Sequence, residues 1–546
     1  MLESCKKFTS PLLLYEADHG RPCHALHQQD VFRVFANKHS QNACHDLMLC
    51  KYGIYEKLVF QLGTQLFQSV LVSSNRCDSS APNLITGVQL LVGTDLASDF
   101  HRSHGSRQAR KTDRGINMSV IQQLLQDVPL PRMVRVKQTF PRPVVGNIDE
   151  AIVQSFMQEN GKIPWPTGGE VAVVVGSRGI ADINQITRAV VRQLKQYGLK
   201  PFIVPGMGSH GGATAEGQKE VLESLGVTEE SIEAPIRSSM EVVQIGTLEN
   251  GLPVYMDKFA HQAAGIVVVN RIKPHTAFRG TYESGIVKMI AIGLGKQKGA
   301  EACHKLGFGH MAKHIVEAAE VAIATNKILC GVAVLENAYD HVAQIEVLPA
   351  SEIIAREPAL LEQAKSSMPR ILVDEIDVLV VDEIGKDISG DGMDPNITGR
   401  YATPFATGGP NIKRITVRRL TERTHGNANG LGVADTTTKR VFDAIDFSKT
   451  YPNALTSTVI EPVKLPMVLD NDKLAIQAAI KTSNVLHDED IRLVHIQSTL
   501  SLEEIRVSES LLPLLLGRDD VEVLSSPETW PFDENGELDT HELWSE

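Results

Sequence analysis

The sequence contains 546 residues, of which 42% are hydrophobic and 22% charged, a composition typical of a globular protein with two or three domains. Its 66 acidic residues exceed its 54 lysine and arginine residues, so the formal net charge is -12. This charge argues against nucleic acid or an anionic membrane as the main partner, because both bind clustered positive charge. No apolar run is long enough to span a membrane and no secretory signal is evident, so we expect a cytoplasmic protein.

Residues 1–117 differ from the rest of the chain because they show no helical or strand periodicity. Most of the cysteines fall here, namely Cys5, Cys23, Cys44, Cys50 and Cys77. The sequence contains no Cys-x-x-Cys pair, so neither a zinc ribbon nor a thioredoxin-like motif is indicated. A regular pattern begins only at Met118. We therefore expect residues 1–117 to be a poorly ordered extension, which a start codon assigned too early would explain.

From Met118 onward, predicted strands and helices alternate along the chain. The first group has strands predicted over residues 170–175, 201–204, 266–269 and 328–335, and helices over 180–197, 213–225, 312–325 and 351–367. After Pro369, a second group has strands over 378–381 and 491–496, and helices over 435–445 and 473–482. This succession predicts the α/β class, with two Rossmann-like domains built on mostly parallel sheets. We assign residues 118–368 to a catalytic domain and 369–546 to a second domain, with the active site in the cleft between them.

Three predicted strands of the first domain end in glycine or polar residues, around Arg178, His210 and His275. Because ligands of parallel sheets bind at the carboxyl ends of the strands, these side chains are expected to face one pocket. An arginine there would bind a carboxylate or phosphate through two hydrogen bonds, and two imidazoles would supply an acid and a base near neutral pH. Taken singly, a histidine at a strand end is more often a structural residue.

The loop after the second strand contains the pattern Gly206-x-Gly208-x-x-Gly211, which satisfies the dinucleotide-binding fingerprint. No second strand ending in an acidic residue follows about 20 residues later, as that fingerprint requires. We therefore interpret the loop as a tight or phosphate-tolerant turn. An NAD-dependent 2-hydroxy acid dehydrogenase, using His210 or His275 with Arg178, remains the alternative.

The segment from 266 to 304 concentrates groups that can do chemistry in otherwise apolar sequence. It contains two histidines, His275 and His304, and a helix predicted over residues 283–294 in which Glu283, Ser284 and Lys288 are the polar residues. A lysine flanked by apolar residues loses hydration unless an anion or a covalent partner meets it. The plainer alternative is that Lys288 extends its amine to the surface.

Read in chain order, these motifs resemble the lactate racemase family that carries a nickel-pincer nucleotide. The motifs are Gly208-Ser209-His210, Pro274-His275, Ser284-Gly285-Ile286-Val287-Lys288 and His304. The family has a G-T-H-R-P segment, a P-H pair, an S-G-x-x-K segment and a later histidine in this order. The resemblance covers about residues 118–500, and its specificity lies in the order and spacing of short motifs.

The resemblance implies a racemase or epimerase, an isomerase that inverts C2 of a 2-hydroxy acid. Reversible hydride transfer would run to the cofactor, a Ni(II) pyridinium bis-thiocarboxylate mononucleotide, because C2 is too weakly acidic for a bare histidine. Lys288 would hold this cofactor through a thioamide, and His304 would bind the nickel. His210 and His275 would act as acid and base on opposite faces of the substrate.

For the remaining groups, the resemblance implies that Arg178 binds the substrate carboxylate and that Ser177 and Gly208 contact the nucleotide. The sequence departs from the family where Gly211-Gly212 replaces Arg-Pro after His210, and where the interval between His275 and Lys288 is longer.

These departures suggest a pocket reshaped for a larger polar substrate, such as a sugar acid. Arg279, and Lys386 and Asp391 in a polar loop of the second domain, are the candidate substrate-binding residues. The same departures leave open a non-catalytic relative of the same fold. The expected partner is a small 2-hydroxy acid, and a homo-oligomer is compatible with the sequence.

Overall fold

The computed structural model describes residues 119–176 and 179–544, which belong to one unit of the fold, Asp113–Glu546. The extension predicted over residues 1–117, and the site candidates Ser177 and Arg178, lie outside the described residues. Within the described ranges, no helix has the length and apolar character needed to cross a bilayer.

Strands and helices alternate over most of the described chain. The strands are β1 (Met133–Gln138), β2 (Glu170–Val175), β3 (Lys200–Pro205), β4 (Val242–Thr247), β5 (Pro253–Asp257), β6 (Gly265–Arg271), β7 (Ile328–Glu336), β8 (Val342–Pro349), β9 (Glu375–Ile384), β10 (Asn411–Leu420), β11 (Thr436–Thr438), β12 (Met467–Leu469), β13 (Leu493–Ile496), β14 (Glu504–Ser508) and β15 (Val521–Val523). The helices are α1 (Val120–Leu125), α2 (Ile148–Glu159), α3 (Ile183–Gln196), α4 (Ala215–Ser224), α5 (Glu229–Ile232), α6 (Lys258–Gln262), α7 (Ile286–Lys288), α8 (Lys296–His304), α9 (Met311–Ala324), α10 (Ile353–Ser367), α11 (Pro395–Thr398), α12 (Lys439–Ala444), α13 (Phe447–Ser457), α14 (Asp472–Thr482), α15 (Leu512–Leu515) and α16 (Thr540–Trp544).

The first lobe is built on a five-stranded sheet in the order β3-β2-β6-β7-β8. The first four strands are parallel, and β8 closes the edge in the antiparallel sense. Their β-branched runs are buried on both faces, each of which packs into its own apolar core. Val175 pairs with both Pro205 and Val269, so the carboxyl ends of β2, β3 and β6 are level with one another.

The second lobe is built on an eight-stranded sheet in the order β12-β11-β10-β9-β13-β14-β1-β15. Strands β9 to β13 of this sheet are parallel to one another, and β14, β1 and β15 are antiparallel additions. The predicted α/β class with mostly parallel sheets is therefore confirmed. Strand β1 lies in this second sheet, although its residues fall within the range predicted for the first domain. The reason is its apolar face, since Val134 and Val136 fill the second lobe's core.

Candidate active site

The candidate site lies at the carboxyl edge of the first sheet, where the loops after β3 and β6 emerge. The loop after β3 packs against the turn that follows α7: the backbone N–H of Gly208 donates to the carbonyl of Gly293 (3.4 Å). A Cβ on Gly206 would lie 2.7 Å from the sulfur of Met289. Glycine is needed at 206 because no side chain fits between the loop and that turn.

Lys288 ends the short helix α7 and is followed by a π-helical turn, Met289–Gly293. The helix predicted over 283–294 begins later because Ser284 pairs with Lys273 as an extended bridge, N to O at 2.8 and 3.1 Å. π-turns inside helices are frequent at functional sites. The Lys288 side chain is half-buried, with apolar neighbours on either side of it in the chain.

A buried carboxylate from α10 determines where α7 starts. Glu357 accepts a hydrogen bond from the backbone N–H of Val287 (2.9 Å), and a Cβ on Gly285 would overlap its carboxylate. A carboxylate at a helix start satisfies N–H groups that have no partner within the helix. Burial raises the pKa of Glu357 to about 7, although the N–H donors of Val287 and Ile286 oppose this shift. The glycine of the S-G-x-x-K segment therefore makes room for this cap.

His275 follows β6, and contacts of both its backbone and its imidazole ring fix its position. Its N–H donates to Glu283 (2.7 Å), and its Nδ1 accepts from the N–H of Ala277 (3.0 Å). The ring centroid lies 4.4 Å from that of Phe278 and 6.0 Å from that of Phe308. Because Nδ1 accepts a hydrogen bond, a neutral ring in this geometry carries its proton on Nε2.

His304 ends helix α8, with its ring centroid 5.1 Å from that of Phe308. Its Nδ1 is buried and has no hydrogen-bond partner among the described residues. Burial, reinforced by the nearby charge of Lys288, lowers the pKa of His304 to about 4. The imidazole is therefore neutral at pH 7, which is the form that binds a metal.

Three of the predicted residues thus come together. His275 and His304 lie on the same aromatic ring, that of Phe308, and Lys288 is close enough to His304 to shift its pKa. The charge of Lys288 also lowers the pKa of Cys303, although burial raises it on balance to about 11. A half-buried amine and two imidazoles therefore share one region at the end of β6.

His210 lies on the loop after β3, with its side chain exposed. Its backbone N–H donates to the carbonyl of Met207 (3.1 Å). The preceding turn is close to α8, because a Cβ on Gly208 would lie 3.7 Å from that of Ala300, one turn before His304. The loop of His210 therefore borders the group formed by Lys288 and His304.

Arg279 connects the two lobes. Its guanidinium donates to Asn396 and Tyr401 of the second lobe, both at 2.6 Å, and to the carbonyl of His275 (2.6 Å). Its Nε donates to the carbonyl of Thr407 (3.0 Å). Arg279 therefore makes its hydrogen bonds to protein acceptors and braces the loop that carries His275.

Lys386 and Asp391 lie in the polar loop that follows β9. Lys386 donates to the carbonyl of Gly390 (2.6 Å), and Asp391 accepts a long hydrogen bond from Asn429 (3.4 Å). The end of the loop reaches the first lobe, where Asp394 lies 4.0 Å from the amine of Lys273. The loop therefore approaches the segment that carries His275.

A cavity of about 500 Å³ lies where the two lobes meet, and no motif in the sequence pointed to it. Its lining residues are Gly307, Phe308, Tyr401, Ala402, Thr403, Pro404, Phe405, Thr458, Val459 and Glu461. Phe308 is shared between this cavity and the two histidine rings. The cavity and the rings of His275 and His304 therefore have Phe308 as a common neighbour.

These candidate groups lie at the carboxyl ends of parallel strands in an α/β fold, and a sequence comparison finds a family match for part of the chain. Residues 122–315 match the family model of the lactate racemase N-terminal domain. This part of the chain is therefore similar to a lactate racemase N-terminal domain, and the resemblance predicted from its motifs is confirmed over these residues.

The lactate racemase apoprotein from Thermoanaerobacterium thermosaccharolyticum is a solved structure with some similarity to this one. The match covers 68% of this chain and 99% of that chain, with 11% sequence identity and a TM-score of 0.40. Among curated proteins, none matches the sequence significantly.

Proposed function

We propose that this protein is a 2-hydroxy acid racemase or epimerase. The observation that carries the proposal is that the rings of His275 and His304 both pack against Phe308, while Lys288 is close enough to His304 to lower its pKa. The lactate racemase-type domain over residues 122–315 supports the same reaction class. The strand ends are level, as a binding edge requires.

The residues present fit a nickel-pincer nucleotide. The buried Nδ1 of His304 has no hydrogen-bond partner among the described residues, and its ring is neutral at pH 7, as a metal ligand must be. The amine of Lys288 lies next to it in apolar surroundings, where a covalent bond to a cofactor would remove its charge. When bound, such a cofactor accepts and returns the hydride of C2.

The chain's own residues would then handle the proton. We assign His210 and His275 to the hydroxyl oxygen of the substrate, where one removes the proton and the other supplies it on return. Arg178 remains our candidate for the substrate carboxylate, and Ser177 and Gly208 remain candidates for the nucleotide.

The cavity next to Phe308 supports a substrate larger than lactate. A volume of about 500 Å³, whose lining residues include Thr403, Thr458 and Glu461, suits a polyhydroxylated acid. Arg279 would have to release protein acceptors to bind such a substrate. Lys386 and Asp391 remain candidates for contacts with its distal end.

The test is to produce the protein together with the enzymes that synthesise the cofactor. We expect mass spectrometry to find a nucleotide adduct on Lys288, nickel in equal amount, and inversion of at least one acid in a panel of enantiopure 2-hydroxy acids and sugar acids. Lys288→Ala should lose the adduct and the activity. His304→Ala should keep the adduct and lose the nickel.

Two other outcomes would each overturn the proposal. Reduction of added NAD by a 2-hydroxy acid, without an adduct, would identify a dehydrogenase. Neither an adduct nor any turnover would identify a non-catalytic relative of the same fold.

A further inference from the structure

Lys296 is fully buried at the start of helix α8, an unusual place for a lysine. Its amine donates to the carbonyl of Pro205 (2.5 Å) and to the side-chain oxygen of Gln218 (3.0 Å). It also lies 3.3 Å from the carboxylate of Asp257, whose side chain is fully buried as well. The ammonium therefore has three acceptors around it, one for each of its protons.

Gln218, on helix α4, continues this network to the glycine loop. Its amide nitrogen donates to the carbonyls of Gly208 (3.0 Å) and His210 (3.3 Å). Together, Lys296 and Gln218 bind three carbonyls of the short segment that runs from Pro205 to His210. These carbonyls lie on the buried side of a loop whose outer side carries the exposed imidazole of His210.

This loop has little stiffness of its own. Gly208 and Gly211 adopt positive φ angles of 57° and 65°, and Gly206 adds a third residue without a side chain. Glycine gives the backbone access to many conformations, so outside contacts must select one. The hydrogen bonds from Lys296 and Gln218 are suited to that selection, because each fixes a carbonyl rather than a side chain.

Burying a lysine also has a free-energy cost that an apolar residue at the same position would avoid. Removing an ammonium from water is unfavourable unless it is paired and fully hydrogen-bonded, and methionine would fill similar volume without that penalty. Lys296 stands eight residues before His304 on the same helix, about 12 Å along its axis. The network thus links the helix of the predicted metal ligand to the loop of the predicted acid or base.

We propose that Lys296 and Gln218 are positioning residues, which set the conformation of the Gly206–His210 loop and thereby the place of the His210 imidazole relative to helix α8. This inference rests on the proposed function for the role of His210. The structural part, that these two side chains hold the loop, stands on the hydrogen bonds themselves.

The decisive variant is Gln218→Glu. Glutamate keeps the shape and the acceptor for Lys296 but cannot donate to the carbonyls of Gly208 and His210. The matched control is Gln477→Glu in the second lobe, which removes a buried amide donor from the carbonyl of Val128 (2.8 Å) far along the chain from the site. Lys296→Met, which removes the bond to Pro205, is the second variant.

The first measurement is hydrogen-deuterium exchange of the peptide that spans residues 206–214, made on the full chain without cofactor. Loss of two hydrogen bonds should speed exchange on the order of tenfold in Gln218→Glu. Lys296→Met should do the same, and Gln477→Glu should leave this peptide unchanged. Exchange equal to wild type in both site variants, or equal acceleration in the control, would overturn the inference.

The second measurement is made on the cofactor-loaded enzyme. We expect kcat to fall about 10- to 100-fold with little change in KM, and the pH profile of kcat to shift, because a displaced base loses alignment rather than substrate affinity. Unchanged kcat in a variant with a loosened loop would refute the catalytic half of the inference. An inactive wild type would refute the proposed function and leave the exchange result standing. If Gln218→Glu does not fold, Lys296→Met decides both measurements.

Discussion

Each lobe of the protein buries a group of charged side chains near the carboxyl edge of its sheet, and the two groups differ in what they hold. In the first lobe, the amine of Lys296 pairs with Asp257 and donates to the carbonyl of Pro205, where the glycine loop begins. In the second lobe, Arg418 bridges two fully buried carboxylates, Asp382 and Asp472. Both arrangements pair opposite charges away from water, which is the condition for burying charge at all.

The second group holds the C-terminal segment in place. The indole N–H of Trp544 donates to Asp382 (2.6 Å), and Arg418 donates to the carbonyl of Leu538 (2.8 Å). His495, bonded to Asp382, stacks on Trp530 at 5.3 Å. Hydrogen bonds from His495 and Trp544, together with the charge of Arg418, hold the pKa of Asp382 well below its usual range despite burial.

The comparison shows that a buried ion pair does not by itself mark a catalytic site. By pKa shift alone, Asp382 and His495 would look like a catalytic dyad. They are covered by two tryptophans, whereas the carbonyl bound by Lys296 lies at the start of a loop with an exposed histidine. A buried charge is therefore a structural anchor or a positioning group according to the segment to which it is hydrogen-bonded.

The largest expected effect is on stability, from Arg418→Met. The variant leaves Asp382 and Asp472 buried without their shared partner, so the free energy of unfolding should fall by about 3–5 kcal/mol. Urea unfolding followed by tryptophan fluorescence reports on this region, because Trp530 and Trp544 both pack on His495. Exchange in the loop over residues 206–214 should stay at the wild-type rate.

The control for this prediction is Arg518→Met, which removes a pair with Asp520 whose side chains are 37% and 38% exposed. Exposed pairs contribute less than about 1 kcal/mol. Equal losses in the two variants would contradict the view that the buried arginine anchors the second lobe.

The next effect concerns Glu357, the carboxylate that caps the helix of Lys288. Its pKa is about 7 in the folded protein and near 4.5 when unfolded, so the folded state binds more protons between these values. The stability from this group is therefore fully present below about pH 4.5 and is lost as the pH rises through 7. Between pH 4.5 and 8, the free energy of unfolding of wild type should fall by about 3 kcal/mol relative to that of Glu357→Gln.

Urea unfolding of both proteins at several pH values measures this difference. Glu362→Gln, on the same helix but with a side chain 73% exposed, is the control and should show no such trend. A pH-independent difference between wild type and Glu357→Gln would show that burial does not raise the pKa of this carboxyl in the folded protein.

The sequence was sufficient for features that depend on neighbouring residues. The predicted strand over residues 170–175 has the bounds of β2, because its apolar and mostly β-branched run is typical of a buried strand. The histidine and lysine motifs also singled out His275, Lys288 and His304, which lie in one region of the structure at the end of β6. Local pattern and motif order carry this information without any knowledge of the tertiary fold.

The supporting residues were missed because their partners are distant in the chain. Lys296 sits in a Gly-Lys-Gln-Lys run that has the composition of a surface turn, yet it bonds to Pro205 and Gln218, 91 and 78 residues away. Glu357 caps a helix that starts 70 residues before it. Strand β1 was placed in the first domain because nothing local shows that it pairs with β14.

The smallest expected effect tests whether the cap explains the glycine of the S-G-x-x-K segment. In Gly285→Ala, the added methyl group would overlap the carboxylate of Glu357, which must move away from the N–H of Val287. Such overpacking costs about 1–3 kcal/mol, measurable by urea unfolding. In Gly285→Ala/Glu357→Ala, the two losses should fall short of additivity, because removing the carboxylate makes room for the methyl group. Fully additive losses would mean that Gly285 is required for some reason other than Glu357, and the cap would then not account for the motif.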